Sequence, residues 1–246
     1  MYFLHWIAVF ILTIPLAWIF LFVCFCSLFI NKKKVYKKES KFYRFLFQWF
    51  TAVGLWTIGV KLHVSGTEKL PKGQKFLLVC NHISNYDPIV TWHVLRKEKI
   101  RFISKGGNFK IPFMGQLIHR CKFMEIDREN PRNAVKTVEE AASVLQNGEA
   151  CVGVYPEGTR SKTGELLPFH NSVFKIAQKG NAPIVVCSIR GTESIHDRVV
   201  WKRTHVYLDF LEVIPADEAK SMRTAELGTR SAQQIQDSLQ KKEIAV

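Results

Sequence analysis

The run Phe76-Leu77-Leu78-Val79-Cys80-Asn81-His82-Ile83-Ser84-Asn85-Tyr86-Asp87-Pro88 decides the fold. Phe76 to Cys80 are uninterrupted apolar residues, the pattern of a buried strand. Asp87 and Pro88 stand before a second apolar stretch, residues 89–95. A helix begins this way, with Asp as N-cap and Pro in its first turn. A buried strand that passes through a short polar loop into a helix is one unit of an α/β sheet.

The alternation continues outward. Residues 100–104, 122–126, 150–155, 184–189 and 205–213 read as strands. Residues 111–119, 131–145 and 171–178 read as helices, the middle one capped by Asn130 and stopped near Gly148. A last amphipathic helix covers residues 229–241. This order predicts an α/β fold with a largely parallel sheet flanked by helices. The 246 residues suit one such domain with an appendage. The appendage, residues 1–62, reads as a membrane-associated helical segment with a basic linker. Residues 63–246 read as the α/β domain.

Composition characterises the appendage. Residues 1–30 contain no Asp, Glu, Lys or Arg. As one helix they would reach about 45 Å, beyond the roughly 30 Å hydrocarbon core. Such a hydrophobic anchor spans with tilt, or breaks near Pro15 and lies partly in the interface. Basic residues follow the apolar run rather than precede it, which is not the pattern of a cleaved signal peptide. Lys32, Lys33, Lys34, Lys37, Lys38, Lys41 and Arg44, against Glu39 alone, place +6 of the net +14 between residues 31 and 44. The positive-inside rule then puts the α/β domain on the cytoplasmic side of the cell (inner) membrane. A basic cluster beside an apolar segment suits anionic headgroups; a solvated linker is the plain alternative. Without a zinc finger or RNA-binding signature, nucleic acid is not an expected partner. Residues 45–60 form a second apolar stretch, readable as an interfacial helix beneath the domain or as a buried core helix. Cys24, Cys26, Cys80, Cys121, Cys151 and Cys187 show no paired spacing for zinc or disulfides.

Two polar runs carry chemistry. One is His82 to Asp87; the other is Tyr155-Pro156-Glu157-Gly158-Thr159-Arg160-Ser161. From spacing alone Asp87 reads as a cap and His82 as a core histidine. Position argues for more. In α/β sheets, sites gather beyond the carboxyl ends of the strands. His82 lies just past one such end, and residues 156–160 lie just past another. Histidine suits a general base near neutral pH, and a carboxylate beside it fixes the tautomer. Ser84 is a competing nucleophile, but no Gly-x-Ser-x-Gly turn accompanies it. Arg160 offers a planar fork for phosphate, and Gly158 lets backbone amides approach an anion. Thr159 and Ser161 add hydroxyls, and Glu157 orients Arg160 or the loop. Glu-Gly-Thr is also an ordinary turn. One His and one Asp are too few for a metal. A base beside an anion site, behind an apolar terminus, suggests chemistry on a phosphorylated lipid.

His-x4-Asp at 82–87 followed by Pro-Glu-Gly-Thr-Arg-Ser at 156–161 resembles the glycerolipid acyltransferase family, in particular its bacterial 1-acylglycerol-3-phosphate members. Phe123-Met124-Glu125-Ile126-Asp127-Arg128 is similar to the family's second block, and Ala182-Pro183-Ile184-Val185-Val186 to its fourth. Ser104-Lys105 and Ile111-Pro112-Phe113-Met114-Gly115 match the lysine and Pro-x-x-Gly between the first two blocks. Met124-Glu125 and Tyr155 depart from the usual pattern. The resemblance implies transfer of an acyl chain from acyl-CoA or acyl carrier protein to the sn-2 hydroxyl of lysophosphatidic acid, giving phosphatidic acid. It implies His82 and Asp87 as catalytic residues. It places Lys105, Arg128, Glu157, Gly158, Thr159 and Arg160 at the acceptor, with no cofactor beyond the acyl donor. Other acceptors, a lipid hydrolase using His82, and a non-catalytic basic membrane-binding protein are the competing readings.

Overall fold

The computed structural model describes residues 2–127, 130–196 and 203–243, the side chains of 2–12, 131 and 241–243 excepted. Helix α1 (Tyr2–Leu28) passes Pro15 without breaking. Among the described residues no helix is long and apolar enough to cross a membrane. Helix α2 (Lys41–Thr57) starts at Ser40, whose hydroxyl accepts the Tyr43 amide. Leu46, Phe47 and Leu55 of α2 are buried, and the Phe47 ring sits 5.3 Å from Trp92. Phe42, Phe45 and Trp56 are exposed. The stretch is thus a core helix on one face and an apolar surface on the other. Arg44 leaves the basic cluster: it is buried, paired with Glu39 and laid over Trp92 at 4.5 Å.

Seven strands follow: β1 (Val60–Ser65), β2 (Leu77–Cys80), β3 (Arg101–Lys105), β4 (Met124–Ile126), β5 (Val152–Val154), β6 (Ile184–Arg190) and β7 (Thr204–Ile214). Their order is β1-β7-β6-β2-β5-β3-β4. From β6 to β4 all pairs are parallel. β7 runs antiparallel to β6, and β1 runs parallel to β7. β1 alternates Val60, Leu62 and Val64 with Lys61, His63 and Ser65, as an edge strand does. It starts at Val60, on the linker side of the expected division.

The remaining helices are α3 (Asp87–Val94), α4 (Gly106–Lys110), α5 (Met114–Arg120), α6 (Pro131–Gln146), α7 (Lys175–Gly180), α8 (Ala216–Ser221) and α9 (Thr224–Glu243). The helix expected over 111–119 is a sharp turn followed by α5. Phe113 takes a φ of 61°, and a Cβ on Gly115 would lie 2.1 Å from the Phe109 carbonyl oxygen. This crowding is what Pro-x-x-Gly accommodates. β2 is buried at all four residues. Leu78 and Cys80 share a core with Phe47, Trp92 and Leu117. Leu77 and Val79 share the other core with Leu145, Ile176 and Leu227. Covering both faces is what a parallel sheet needs.

Candidate active site

The carboxyl ends of the adjacent strands β5, β2 and β6 open onto one edge of the sheet. At the exit of β2, buried Asn81 pairs with the backbone of Ile189. Its Nδ2 donates to the carbonyl at 2.9 Å, and its Oδ1 accepts the amide at 2.8 Å. That clamp fixes where the next loop begins.

The loop then closes on Asp87. Asp87 Oδ2 accepts the amides of Ile83 and Ser84 at 2.7 and 2.8 Å and meets His82 Nδ1 at 2.7 Å. Asp87 is 0 % exposed, so burial of its charge depends on these donors. Its expected role as N-cap is corrected: Tyr86 holds that position, without a side-chain bond, and Asp87 is the first residue of α3. The carboxylate is turned back to the loop and His82, so it is not available to the helix amides. With Nδ1 engaged by the Asp87 carboxylate, His82 keeps Nε2 as its free ring nitrogen. Ser84 is buried, and its hydroxyl accepts the Tyr86 amide, so it is not presented as a nucleophile.

A stack of rings supports the imidazole. Tyr155 lies 4.5 Å from His82, centroid to centroid, at 29°. Phe102 lies 5.9 Å beyond it at 13°. Gly153 makes room, since a Cβ there would meet the Phe102 ring at 2.4 Å. The Tyr155 hydroxyl bonds Thr91 Oγ1 at 2.8 Å, and burial pushes its pKa far up, so the phenol stays neutral.

The second loop is tied to the first. Glu157, 3 % exposed, accepts the His82 amide on Oε1 at 2.6 Å and the Leu167 amide on Oε2 at 2.9 Å. The Ser161 amide donates to the His82 carbonyl at 2.8 Å. Glu157 therefore orients the loops and not Arg160. Burial raises its carboxyl pKa, while the two amides and His82 oppose that rise. Gly158, at φ 70°, turns the chain, and its amide closes onto the Tyr155 carbonyl at 3.0 Å rather than facing an anion. Thr159 and Arg160 are exposed, and no intramolecular hydrogen bond holds either side chain among the described residues.

The other expected residues stand apart. Lys105 ends β3 on the same edge and is exposed, with no hydrogen bond to the dyad. Asp127 accepts the Asn130 amide and the Asn133 side chain, steadying the start of α6. Arg128 lies outside the described residues. The residue that the sequence did not single out is Thr192, whose hydroxyl donates to Asp87 Oδ1. Its position just past β6 was the available signal.

A family model described as Acyltransferase matches residues 61–190. A 1-acyl-sn-glycerol-3-phosphate acyltransferase of Cocos nucifera is 32% identical over 138 residues, covering 56% of this chain and 44% of the relative. A protein of the same name from Borreliella burgdorferi is 26% identical over 142 residues, covering 58% and 56%. The chain spans about half the length of the curated relatives it matches. A crystal structure of a 1-acyl-sn-glycerophosphate acyltransferase from Thermotoga maritima superposes with a TM-score of 0.70 at 24% identity, covering 95% of this chain and 92% of that one. It shows that the fold is shared.

Proposed function

Since this chain belongs to the acyltransferase family, we propose that it acylates the sn-2 hydroxyl of lysophosphatidic acid, using acyl-CoA or acyl carrier protein, to form phosphatidic acid. The observation that carries this reading is the fully buried Asp87 at 2.7 Å from His82 Nδ1. It leaves Nε2 to take the proton of the acceptor hydroxyl as the oxygen attacks the thioester carbonyl. Asp87 stabilises the imidazolium that results. Collapse of the tetrahedral intermediate expels the thiolate, which takes the proton back from His82. The lipid hydroxyl is itself the nucleophile, so no acyl-enzyme is needed.

Arg160, exposed and without a hydrogen bond or ion pair among the described residues, is the proposed grip on the acceptor phosphate. Thr159 adds a hydroxyl, and Lys105 further charge on the same edge. The exposed side chains Trp18, Phe22, Phe25, Phe45 and Trp56, on the two helices that the lysine-rich linker joins, support docking on an anionic membrane. The α/β domain would then work on the cytoplasmic side of the cell membrane. The test is purified protein given lysophosphatidic acid with each donor in turn, with phosphatidic acid followed by mass spectrometry. Wild-type product and none from His82→Ala is the expected result. Equal product from both proteins overturns the mechanism, and fatty acid released without an acceptor would indicate a hydrolase.

A further inference from the structure

We infer that Thr192 is a positioning residue for the His82–Asp87 pair, an inference that rests on the acyl-transfer reading above. Asp87 accepts bonds from four named donors, and they are unevenly divided. His82, Ile83 and Ser84 all meet Oδ2, and all belong to the loop that Asp87 itself closes. Oδ1 is met by Thr192 from a strand end 105 residues away. Thr192 is thus the bond that ties the carboxylate to the rest of the sheet. A carboxylate held at one oxygen can swivel about its terminal torsion, which is broad. Held at both, it presents Oδ2 to the imidazole at one angle.

The surroundings suit that role. Thr192 is fully buried, so water does not compete for its hydroxyl. The threonine hydroxyl donates to Oδ1, so its hydrogen is directed onto the carboxylate. The segment is itself fixed. Gly191 has a φ of 88°, and a Cβ there would lie 2.2 Å from the His205 carbonyl oxygen. The His196 ring packs 5.0 Å from Tyr86, in the same loop as the dyad. The titratable groups around Asp87 are His82, Glu157, Tyr155 and Cys80. Tyr155 and Cys80 are held protonated by burial, and Glu157 is bonded to two amides. Among the described residues, Thr192 alone offers a neutral donor to Oδ1.

The experiment compares Thr192→Val, which keeps the shape and removes the donor, with Thr192→Ser, which keeps the donor. Thr192→Val should lower kcat on the order of ten- to a hundredfold, the effect of one charge-assisted bond. KM for both substrates should stay near wild type, and Thr192→Ser should recover most of the loss. In an Asp87→Asn background, Thr192→Val should add little further loss, because the two act as one unit. Gly191→Ala supplies an independent variant, since it displaces the segment but keeps the hydroxyl, and it should also lower kcat. Wild-type kcat in Thr192→Val, with His82→Ala inactive, overturns this inference and leaves the acyl-transfer reading intact. An active His82→Ala overturns the reading itself. Equal losses in the Val and Ser variants make Thr192 a packing residue and overturn the inference. If Thr192→Val does not fold, Gly191→Ala decides, and unchanged kcat there counts against it.

Discussion

Glu157 Oε1 accepts the backbone amide of His82 at 2.6 Å, so a carboxylate from one loop sets the position of the proposed base in the other. Its second oxygen takes the Leu167 amide at 2.9 Å. Glutamine at 157 keeps one acceptor and turns a donor toward the other amide. Glu157→Gln should therefore cost about 1–3 kcal/mol of stability and lower kcat, with little change in KM for the acceptor. Denaturant unfolding and steady-state kinetics measure both. A raised acceptor KM at unchanged stability would instead put Glu157 on the substrate phosphate.

The same carboxyl carries a pH signature. Burial raises its pKa above the ordinary glutamate value. The native state then binds more protons than the unfolded state in the window just above that value. The stability contribution is complete below the ordinary value and is lost as pH rises through the raised one. Wild-type unfolding free energy, measured relative to Glu157→Gln, should fall as pH rises from the ordinary glutamate value, about 4.3, through the raised one. A difference that grows with pH would mean that the two amides outweigh burial.

Asp87→Asn should leave binding intact and lower kcat by up to about 10⁴-fold, as in hydrolase triads, because the imidazole loses its orienting acceptor. The loop amides of Ile83 and Ser84 lose part of their acceptor as well. Some loss of melting temperature should therefore accompany the rate effect. Rates within a few-fold of wild type would leave His82 acting without this partner.

Arg160 is predicted to separate the two substrates kinetically. Arg160→Lys keeps charge and loses the planar fork. KM for lysophosphatidic acid should rise, with a smaller change for the thioester. Arg160→Ala should cost about 1.5–3 kcal/mol of acceptor binding. Because the side chain is exposed, melting temperature should not move. A rise confined to the donor KM would assign Arg160 to the carrier's phosphates.

Trp18, Phe22 and Phe25 are exposed on α1, whereas Val23 and Cys26 on the same helix are buried. Replacing the three aromatic residues by serine should weaken binding to vesicles containing phosphatidylglycerol without lowering the melting temperature. Activity on a short soluble acceptor should persist. Undiminished vesicle binding would exclude this face as the membrane contact.

The buried strands were legible because five to seven apolar residues leave little alternative. β2 and β5 match their expected places with shortened ends, and β6 runs one residue past its expected end. β1 escaped notice because its half-buried alternation is weak over six residues. The start of α9 was hidden by Gly228, which looks like a stop. In the fold this glycine lies inside the helix, where a Cβ would sit 1.9 Å from Asn171 Oδ1. His82 and Asp87 were readable from position and resemblance. The direction of the Asp87 carboxylate was not, since Asp before Pro at a helix start ordinarily caps. Thr192 was out of reach because its partner is 105 residues away, and local pattern carries no information about that pairing.

β5, β2 and β6 lie in the interior of the sheet, with β3 and β4 on one flank and β7 and β1 on the other. Added strands or longer terminal helices at either flank would leave the His82–Asp87 pair where it is. The loop after β2 that holds His82 and the loop after β5 that holds Arg160 both leave these interior strands, so growth at the flanks reaches neither directly.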